Sequence, residues 1–273
     1  MPTLLSDLSA WRQLAPPVRI GPARQGTITI GELATGRGYD LVTRAIAAPG
    51  LTRRSRQLTP LHLANWATIE LLARPVFADG VWIAAAPRQL GFVIGEHGDM
   101  PELWLDPGAS AGPCPEPSAI GAAVGALLGP VASVVSRCAS IHERAVITIA
   151  AESAIAGFFR AARSAGHPDD AEWLDEASAA VADALGTQVS SKRMRCRPDG
   201  GAAVVLPARS LCCVLHAKTS CHSCPGCPKS GSASERERGV TEWLSSMPDD
   251  EFLEMAGRPK CGRLLSWQPD AER

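Results

Sequence analysis

The chain has almost no net charge, and this absence is the first constraint on its function. Its 27 Lys and Arg residues balance 28 Asp and Glu residues, which leaves a formal charge of −1 at pH 7. A general nucleic-acid binder usually carries a strong basic excess, so that class is not expected. An apolar content of 45% and a charged content of 20% over 273 residues instead indicate a folded protein with a real core.

Targeting and nucleotide-binding signals are also absent from the sequence. The first twelve residues contain no basic region before an apolar stretch, and Asp7 falls where a signal peptide would be apolar. We therefore expect a cytoplasmic protein, in which reducing conditions favour metal-binding or catalytic cysteines over structural disulfides. The sequence has no fixed-period repeat, no phosphate-binding glycine loop after a strand and no supported Ser/His/Asp signature.

One uncharged stretch requires a comparison with membrane helices. Residues Pro117 to Ser136 carry no charge and contain Gly121, Gly125 and Gly129, a small-residue spacing found in packed transmembrane helices. Ala, Gly and Ser dominate the stretch and Pro130 lies inside it, so its apolar transfer energy is poor. We expect a closely packed helix inside a soluble domain, and no transmembrane segment.

Hydrophobic periodicity predicts an α+β fold, with a small antiparallel sheet, a helical middle region and a C-terminal cysteine-rich segment. A short β-like run at Thr27–Ile30 precedes three apolar runs that predict an antiparallel meander: Val81–Ala84, Leu90–Ile94 and Glu102–Asp106. Helices are predicted over residues 3–14, over Tyr39–Ala48, from Thr59-Pro60 to the residue before Pro75, and over most of Ser118–Leu185 with breaks near Gly129-Pro130, Ser140 and 166–168. The proline-rich connector at 107–117 is the best internal boundary.

Two basic runs and one His-Glu pair are the polar features outside the cysteines. Arg53-Arg54-Ser55-Arg56 is interpreted as a solvated basic loop, with contact to an acidic partner or an anionic ligand as the alternative. His142 and Glu143 suit a helix entry better than acid–base chemistry, since no nucleophile accompanies them. The second basic run, Ser191–Arg197, precedes a turn and a predicted strand at Ala202–Leu206.

The cysteine segment, residues 210–228, organises the rest of the chain. It holds five of the nine cysteines of the chain: Cys212, Cys213, Cys221, Cys224 and Cys227. The Cys224-Pro-Gly-Cys227 loop can direct two thiolates at one metal. Adjacent side chains of an extended strand point to opposite faces, so Cys212 and Cys213 reach one site only if the backbone turns there. Such a turn suits a dinuclear centre.

The spacing Cys-Cys-x10-Cys-x2-Cys resembles the terminal signature of the FhuF-like ferric-siderophore reductases. In that family the doublet, the ten-residue gap and the C-x-x-C pair hold a [2Fe–2S] cluster after an Arg/Ser-rich lead-in, which Arg209-Ser210 supplies here. The resemblance implies that the four ligands are Cys212, Cys213, Cys224 and Cys227. It also implies a mixed α/β front part, a helical stretch and a cluster near the C-terminus.

The chain departs from that family pattern in three ways. Val214–Ala217 follows the cysteine doublet, where the family usually has aromatic residues and an arginine. Cys221 is an additional cysteine within the gap, and a tail covering residues 230–273 follows the segment. The first departure bears on substrate contacts more than on cluster binding, because the ligands and their spacing are retained.

Cys221 leaves a second type of cluster open. Cys221, Cys224 and Cys227 match three positions of the ferredoxin-type [4Fe–4S] run. The fourth position falls at Gly231, so one cysteine of the 212–213 doublet would have to complete the run. We favour [2Fe–2S], since its spacing is complete.

Zinc and a redox dithiol are the remaining alternatives. Four-cysteine zinc sites commonly use two C-x-x-C pairs, whereas one pair here is adjacent. A thioredoxin-like pair should open a helix after a strand, and Pro228 with its Gly/Ser surroundings does not indicate one. His216 and His222 could replace a thiolate as in Rieske centres, but four cysteines suffice without them.

The resemblance to the ferric-siderophore reductases implies an oxidoreductase that passes one electron to Fe(III) in a hydroxamate-type siderophore. Residues 1–208 would form the reductase domain, 209–229 the [2Fe–2S]-binding segment, and 230–273 a linker and short helical tail. Arg209, Lys218 and Lys192–Arg197 could receive an anionic chelate or an electron-donor protein. The alternative is an iron–sulfur or zinc sensing module with Trp243, Phe252 and Trp267 of the tail as its partner surface.

Overall fold

The structure, a computed structural model, describes residues 17–46, 52–94, 102–165, 167, 172–189, 193–196 and 204–207, with a few more between 232 and 242. Helices and small sheets within these ranges confirm the predicted α+β class. The predicted helix at 3–14, the cysteine segment and the predicted helices near Trp243 and Phe252 lie outside the described residues.

Helices account for most of the described chain. The strands are β1 Val18–Ile20, β2 Thr27–Thr29, β3 Val81–Ala84, β4 Leu90–Val93, β5 Glu102–Leu105, β6 Ser110–Pro113, β7 Arg193–Cys196 and β8 Val204–Pro207. The α-helices are α1 Ile30–Leu33, α2 Gly36–Ala45, α3 Arg53–Thr68, α4 Arg74–Asp79, α5 Pro117–Ala139, α6 Glu143–Ser164 and α7 Glu172–Ala184. A π-helical turn at Ile69–Ala73 joins α3 to α4.

The first six strands form two small sheets, not the predicted meander. One sheet has the order β1-β5-β4-β2, in which β1 and β5 are parallel and the other two pairs are antiparallel. β3 pairs instead with β6, which lies inside the proline-rich connector and was not predicted. A 3₁₀ turn at Pro87–Gln89 redirects the chain after β3, so β3 and β4 do not become neighbours. The predicted pairing of β4 with β5 is confirmed, whereas the antiparallel sheet is in fact mixed.

The helix that follows Thr52 begins earlier than predicted. The Thr52 hydroxyl accepts a hydrogen bond from the Ser55 amide, which caps α3 at Arg53. Thr59 and Pro60 therefore lie inside α3, and the Thr59 hydroxyl donates to the Ser55 carbonyl. An interior proline costs about 3 kcal/mol by itself. Burial of the surrounding α3 side chains offsets that cost.

The same helical path also ends later than predicted. It passes through the π-helical turn and continues to Asp79, so Pro75 lies within α4 and does not stop the helix. The wider π turn directly before Pro75 relieves the clash between a proline ring and the preceding helical turn. Gly80 ends the helix in the left-handed conformation at φ 66°.

Helix α5 confirms the predicted close packing but not the predicted break. It continues through Gly129-Pro130 for 23 residues and ends at Ser140, which has φ 53°. A Cβ at Gly121 would overlap the carbonyl oxygen of Ala177 in α7, so only glycine permits this approach of the two helices. By length and composition alone, α5 and α6 are long and apolar enough to cross a membrane. As in the core helices of soluble proteins, 56% and 72% of their apolar windows are buried.

One hydrophobic core joins the sheets to the helices. Its buried apolar side chains run from Ile28 in β2 to Leu185 after α7, and Ala109 in the proline-rich connector is one of them. The predicted internal boundary at 107–117 therefore crosses a continuous core. The β7–β8 hairpin contacts this body through α6.

Candidate functional site

The predicted cluster ligands lie outside the described residues: Cys212, Cys213, Cys224 and Cys227, together with Cys221. Arg209 and Lys218, the predicted basic contacts, lie there as well. Among the described residues, no group of three or more His, Cys, Asp or Glu side chains could hold a metal ion. The structure therefore informs on the predicted cluster site only through the described elements that precede the cysteine segment along the chain.

The β7–β8 hairpin is the element that leads directly to the cysteine segment. Residues 193–196 of the second basic run form β7, and the predicted strand lies at Val204–Pro207 as β8. Arg193 pairs with Pro207, at the open end of the hairpin. Cys212 follows five residues after Pro207, a length of chain that spans at most about 18 Å. The basic run thus enters the hairpin at the end from which the chain leaves toward the cysteines.

An open cleft, here the α6–α7 cleft, lies between the beginning of α6 and the end of α7. Its volume is about 730 Å³. It is lined by His142, Glu143, Arg144, Ile147, Asp183, Gly186, Thr187 and Gln188. The lining carries both charge signs and amide and hydroxyl groups, which suits a ligand with many polar atoms.

Local hydrogen bonds hold the two walls of the α6–α7 cleft together. The Thr148 hydroxyl donates to the Arg144 carbonyl at 2.8 Å and lies 3.3 Å from the Thr187 hydroxyl. His142 is the N-cap residue of α6, and its side chain makes no capping hydrogen bond. The predicted helix entry at His142 and Glu143 is confirmed. The sequence did not reveal that the end of α7 lies beside this start of α6 and lines the same cleft.

The first basic run forms a helical turn, not the predicted loop. Arg53, Arg54 and Arg56 occupy the first turn of α3, which contains no acidic residue. We call residues 53–56 the arginine turn. Sequence reasoning missed this helix because the Thr59-Pro60 start signal is stronger than Thr52 alone. A cleft of about 280 Å³ lies beside the turn and is lined by Arg53, Arg54, Gln57 and Ala139.

Tyr39 in α2 lies close to the arginine turn. Its side chain is 5% exposed, and burial raises the pKa of its hydroxyl above the ordinary value of 10. Cys138 and Asp40 raise this pKa further, whereas Arg53 lowers it. The phenol is therefore within electrostatic range of both the end of α5 and the start of α3.

A buried ion cluster is centred on Glu70 in the π-helical turn. The carboxylate accepts from Arg74 Nε at 2.6 Å and from an Arg160 Nη at 3.0 Å. Glu70 is fully buried, whereas both arginines keep part of their side chains in solvent. The spacing of Glu70 and Arg74 is a sequence signal for an ion pair, but Arg160 is 90 residues away and only the fold brings it there.

Two cysteines belong to the described residues, and both are free and exposed. Cys114 lies in the proline-rich connector, and Cys138 lies in the last turn of α5. Partial burial, and then the neighbouring Glu116, raise the pKa of the Cys114 thiol. A raised thiol pKa lowers the thiolate fraction at neutral pH and with it the nucleophilicity of Cys114.

No family model matches the chain, and no curated protein matches it.

Proposed function

We propose that the protein transfers one electron to Fe(III) in a hydroxamate-type siderophore and so releases Fe(II) in the cytoplasm. The observation that carries the proposal is the spacing Cys-Cys-x10-Cys-x2-Cys at Cys212, Cys213, Cys224 and Cys227. Four thiolates are a complete donor set for a [2Fe–2S] cluster, and no other side chain is required.

The chemistry of the substrate explains why one electron is sufficient. Hard anionic oxygens bind Fe(III) far more strongly than Fe(II), so reduction of the ferric substrate weakens the chelate. A [2Fe–2S] cluster, when bound, would supply single electrons at a potential that net charge, hydrogen bonds and solvent exposure adjust. The role of the protein is then to hold the chelate near the cysteines.

The β7–β8 hairpin supports a docking region for the chelate near the cysteine segment. Arg193 at the open end of the hairpin pairs with Pro207, so the basic run and the chain leading to Cys212 share one end. We propose that this basic run, with Arg209 and Lys218, receives an anionic chelate or the electron-donor protein. Along the chain, Gln188 of the α6–α7 cleft precedes Arg193 of the hairpin by five residues.

We propose that the chelate enters the α6–α7 cleft. A volume of about 730 Å³ is within the range of ligand pockets, about 300–1,000 Å³. Arg144 and His142 can donate hydrogen bonds to hydroxamate oxygens. The Thr148–Thr187 contact keeps the two walls of the cleft in register.

The deciding experiment tests the cofactor and the reaction together. Protein purified anaerobically should contain iron and labile sulfide in equal amounts and show a [2Fe–2S] signal by electron paramagnetic resonance after reduction. Addition of a ferric hydroxamate should reoxidise the reduced protein and yield Fe(II), trapped by a ferrous chelator. Failure of the chelate to reoxidise the reduced cluster would reject the reductase, and stoichiometric zinc without sulfide would reject the cluster.

Variants of single cysteines distinguish the two cluster types. Cys224→Ser should lose the visible spectrum, whereas Cys221→Ser should keep it. Loss of the spectrum in Cys221→Ser would favour the [4Fe–4S] run. Cys114→Ser and Cys138→Ser are matched controls, because both thiols are exposed and free in the described fold.

The tail of residues 230–273 favours a second candidate, a sensing or interaction module. In that case Trp243, Phe252 and Trp267 would contact a partner, and the cluster or a zinc ion would control the contact. A coloured protein that cycles slowly and does not reduce siderophores would support sensing over reduction.

A further inference from the structure

Helices α2 and α3, which pack against each other, present positive charge that the described fold does not neutralise. From Leu41 to Ile69 the sequence carries four arginines and no acidic residue, although the whole chain has a formal charge of −1. Arg37 on α2 is exposed, as are Arg53 and Arg54 on α3. None of these three side chains forms an ion pair within the described residues.

Leu41 adds an apolar side chain to this charged region. It is 47% exposed, and it is the one large hydrophobic side chain exposed in the part of the chain that the structure describes. Helix α2 buries Val42 against the body and leaves Arg37 and Leu41, one turn apart, in solvent. We define the basic surface as Arg37, Leu41, Arg53 and Arg54. An apolar side chain among unpaired cations suits a partner in which acidic residues flank apolar ones.

The same chain contains a segment of opposite charge and matching composition. From Gly239 to Gly257 the sequence carries five acidic residues and no basic one. Four of them belong to the run Asp-Asp-Glu-Phe-Leu-Glu at residues 249–254, where carboxylates flank Phe252 and Leu253. We call residues 249–254 the acidic segment, and it lies outside the described residues. Its charge and its two large apolar side chains complement the basic surface.

The length of chain before the acidic segment allows it to reach the basic surface. Strand β8 ends at Pro207, and Asp249 follows Pro207 by 42 residues. A chain of that length spans at most about 140 Å, far more than the width of a folded body of this size. Because both partners belong to one chain, the effective concentration of the segment is roughly millimolar. Exposed charge pairs that are individually weak can then hold the contact together.

We propose that the acidic segment docks on the basic surface of the same chain. Its carboxylates lie against Arg37, Arg53 and Arg54, and an apolar side chain of the segment covers Leu41. The contact withholds the basic surface from other acidic molecules until the segment is released. It does not depend on the cysteine segment, and it stands whether or not the protein reduces siderophores.

Zero-length crosslinking of the full-length protein tests which residues the acidic segment contacts. Arg37→Lys keeps the positive charge and supplies an amine, which a carbodiimide joins only to a carboxylate in contact with it. Peptide mass spectrometry should find position 37 joined to residues 249–254. Arg24→Lys is the matched control, because Arg24 is also exposed but pairs with Glu102 at 2.9 Å. In that variant, position 24 should join to Glu102 and not to the acidic segment.

Two further variants test the charge complementarity from each side. Adding Arg53→Gln/Arg54→Gln to the Arg37→Lys protein should lower the yield of the crosslink at least about threefold, since two of the cations are lost. Neutralising the segment in Asp249→Asn/Asp250→Asn/Glu251→Gln should speed amide hydrogen exchange in peptides that cover α2 and the start of α3. Peptides from α7 should exchange as before. Salt at about 0.5 M should have the same effect on the unaltered protein, because it screens exposed charges.

The outcomes that would overturn the docking are separate from any test of the reductase. They are the absence of a crosslink from position 37 to the acidic segment, an equal crosslink from position 24, and unchanged hydrogen exchange after neutralisation. Crosslinking an equal mixture of isotopically light and heavy protein distinguishes one chain from two. Crosslinks that join light to heavy chains would overturn a contact within one chain and assign the basic surface to a second copy.

Discussion

At the scale of single residues, Glu70 shows how the fold accommodates a buried charge. Its side chain is only 1% exposed, and its two carboxylate oxygens meet Arg74 and Arg160 separately. A carboxylate removed from water is costly unless it is paired and hydrogen-bonded. The two arginines also tie the π-helical turn to α6, because Arg160 belongs to that helix.

Glu70→Gln should destabilise the protein by about 3 kcal/mol, because it leaves two partly buried arginines without their counter-charge. Chemical denaturation followed by circular dichroism measures the change in the free energy of unfolding. Asp40→Asn is the control, since the Asp40–Arg44 pair is exposed at 58% and 78% and contributes less than about 1 kcal/mol. Equal losses in the two variants would contradict a structural role for the buried pair.

Tyr39 provides a pH-dependent prediction, since it is the one tyrosine of the chain. Its folded-state pKa lies above 10, so its contribution to stability is complete below pH 10 and is lost as the pH rises through the folded-state value. Phenolate absorbance should titrate at higher pH in the folded protein than in denaturant. As the pH is raised above 10, Tyr39→Phe should lose less stability than the unaltered protein. An identical phenolate midpoint with and without denaturant would contradict the burial of this hydroxyl.

At the scale of elements, the packing of α5 on α7 depends on missing side chains. A Cβ at Gly121 would overlap the Ala177 carbonyl, and one at Gly125 would lie 2.6 Å from the Ala184 Cβ. The same glycine spacing is typical of membrane helices, but here it lets two helices of one core approach closely. The interface therefore tolerates added volume poorly, because protein interiors are close-packed.

Gly121→Ala should cost about 1–3 kcal/mol, because the new methyl group meets backbone that cannot rotate away. Gly129→Ala is the matched control, since its Cβ would lie 3.6 Å from Leu185 Cδ2, an ordinary contact. That variant should be neutral or more stable by up to about 1 kcal/mol, the helix preference of Ala over Gly. Thermal unfolding of both variants measures the difference, and a Gly121→Ala protein as stable as Gly129→Ala would contradict the close approach.

At the scale of the whole molecule, the described core is built from residues that precede the cysteine segment. Its apolar cluster runs from Ile28 to Leu185, and the β7–β8 hairpin contacts it at α6. A protein whose structure depended on its metal would lose its core with the metal, as zinc fingers do. Here the core and the proposed cofactor site are consecutive along the chain.

If the proposed cluster is bound, removal of its iron by anaerobic chelation should abolish the visible spectrum and leave the helical circular dichroism nearly unchanged. The melting temperature of the helical body should fall by no more than a few degrees, since burial of the core stabilises it. The Cys224→Ser variant is the control that lacks a ligand without exposure to chelator. Cooperative loss of helix on iron removal would show that core and cofactor site fold together.

Local sequence signals correctly predicted those element boundaries that depend on neighbouring residues alone. Ser140 ends α5 and His142 opens α6, as their positions beside long apolar periods indicated. Thr59-Pro60 misled because an internal proline has the same local pattern as a helix start, and only burial against α5 and α6 keeps it inside α3. The predicted meander was wrong in placing β3 beside β4. The actual partner of β3 is β6, which lies in a segment rich in proline and glycine.

By itself the sequence determined the α+β class, the closely packed glycine helix and the cysteine spacing on which the proposed reductase rests. These follow from composition, periodicity and covalent spacing, all of which act over short stretches of chain. Only the tertiary structure joined Glu70 to Arg160, the start of α6 to the end of α7, and Tyr39 to the arginine turn. Those groups are distant in sequence and meet because burial of one common core brings their helices together.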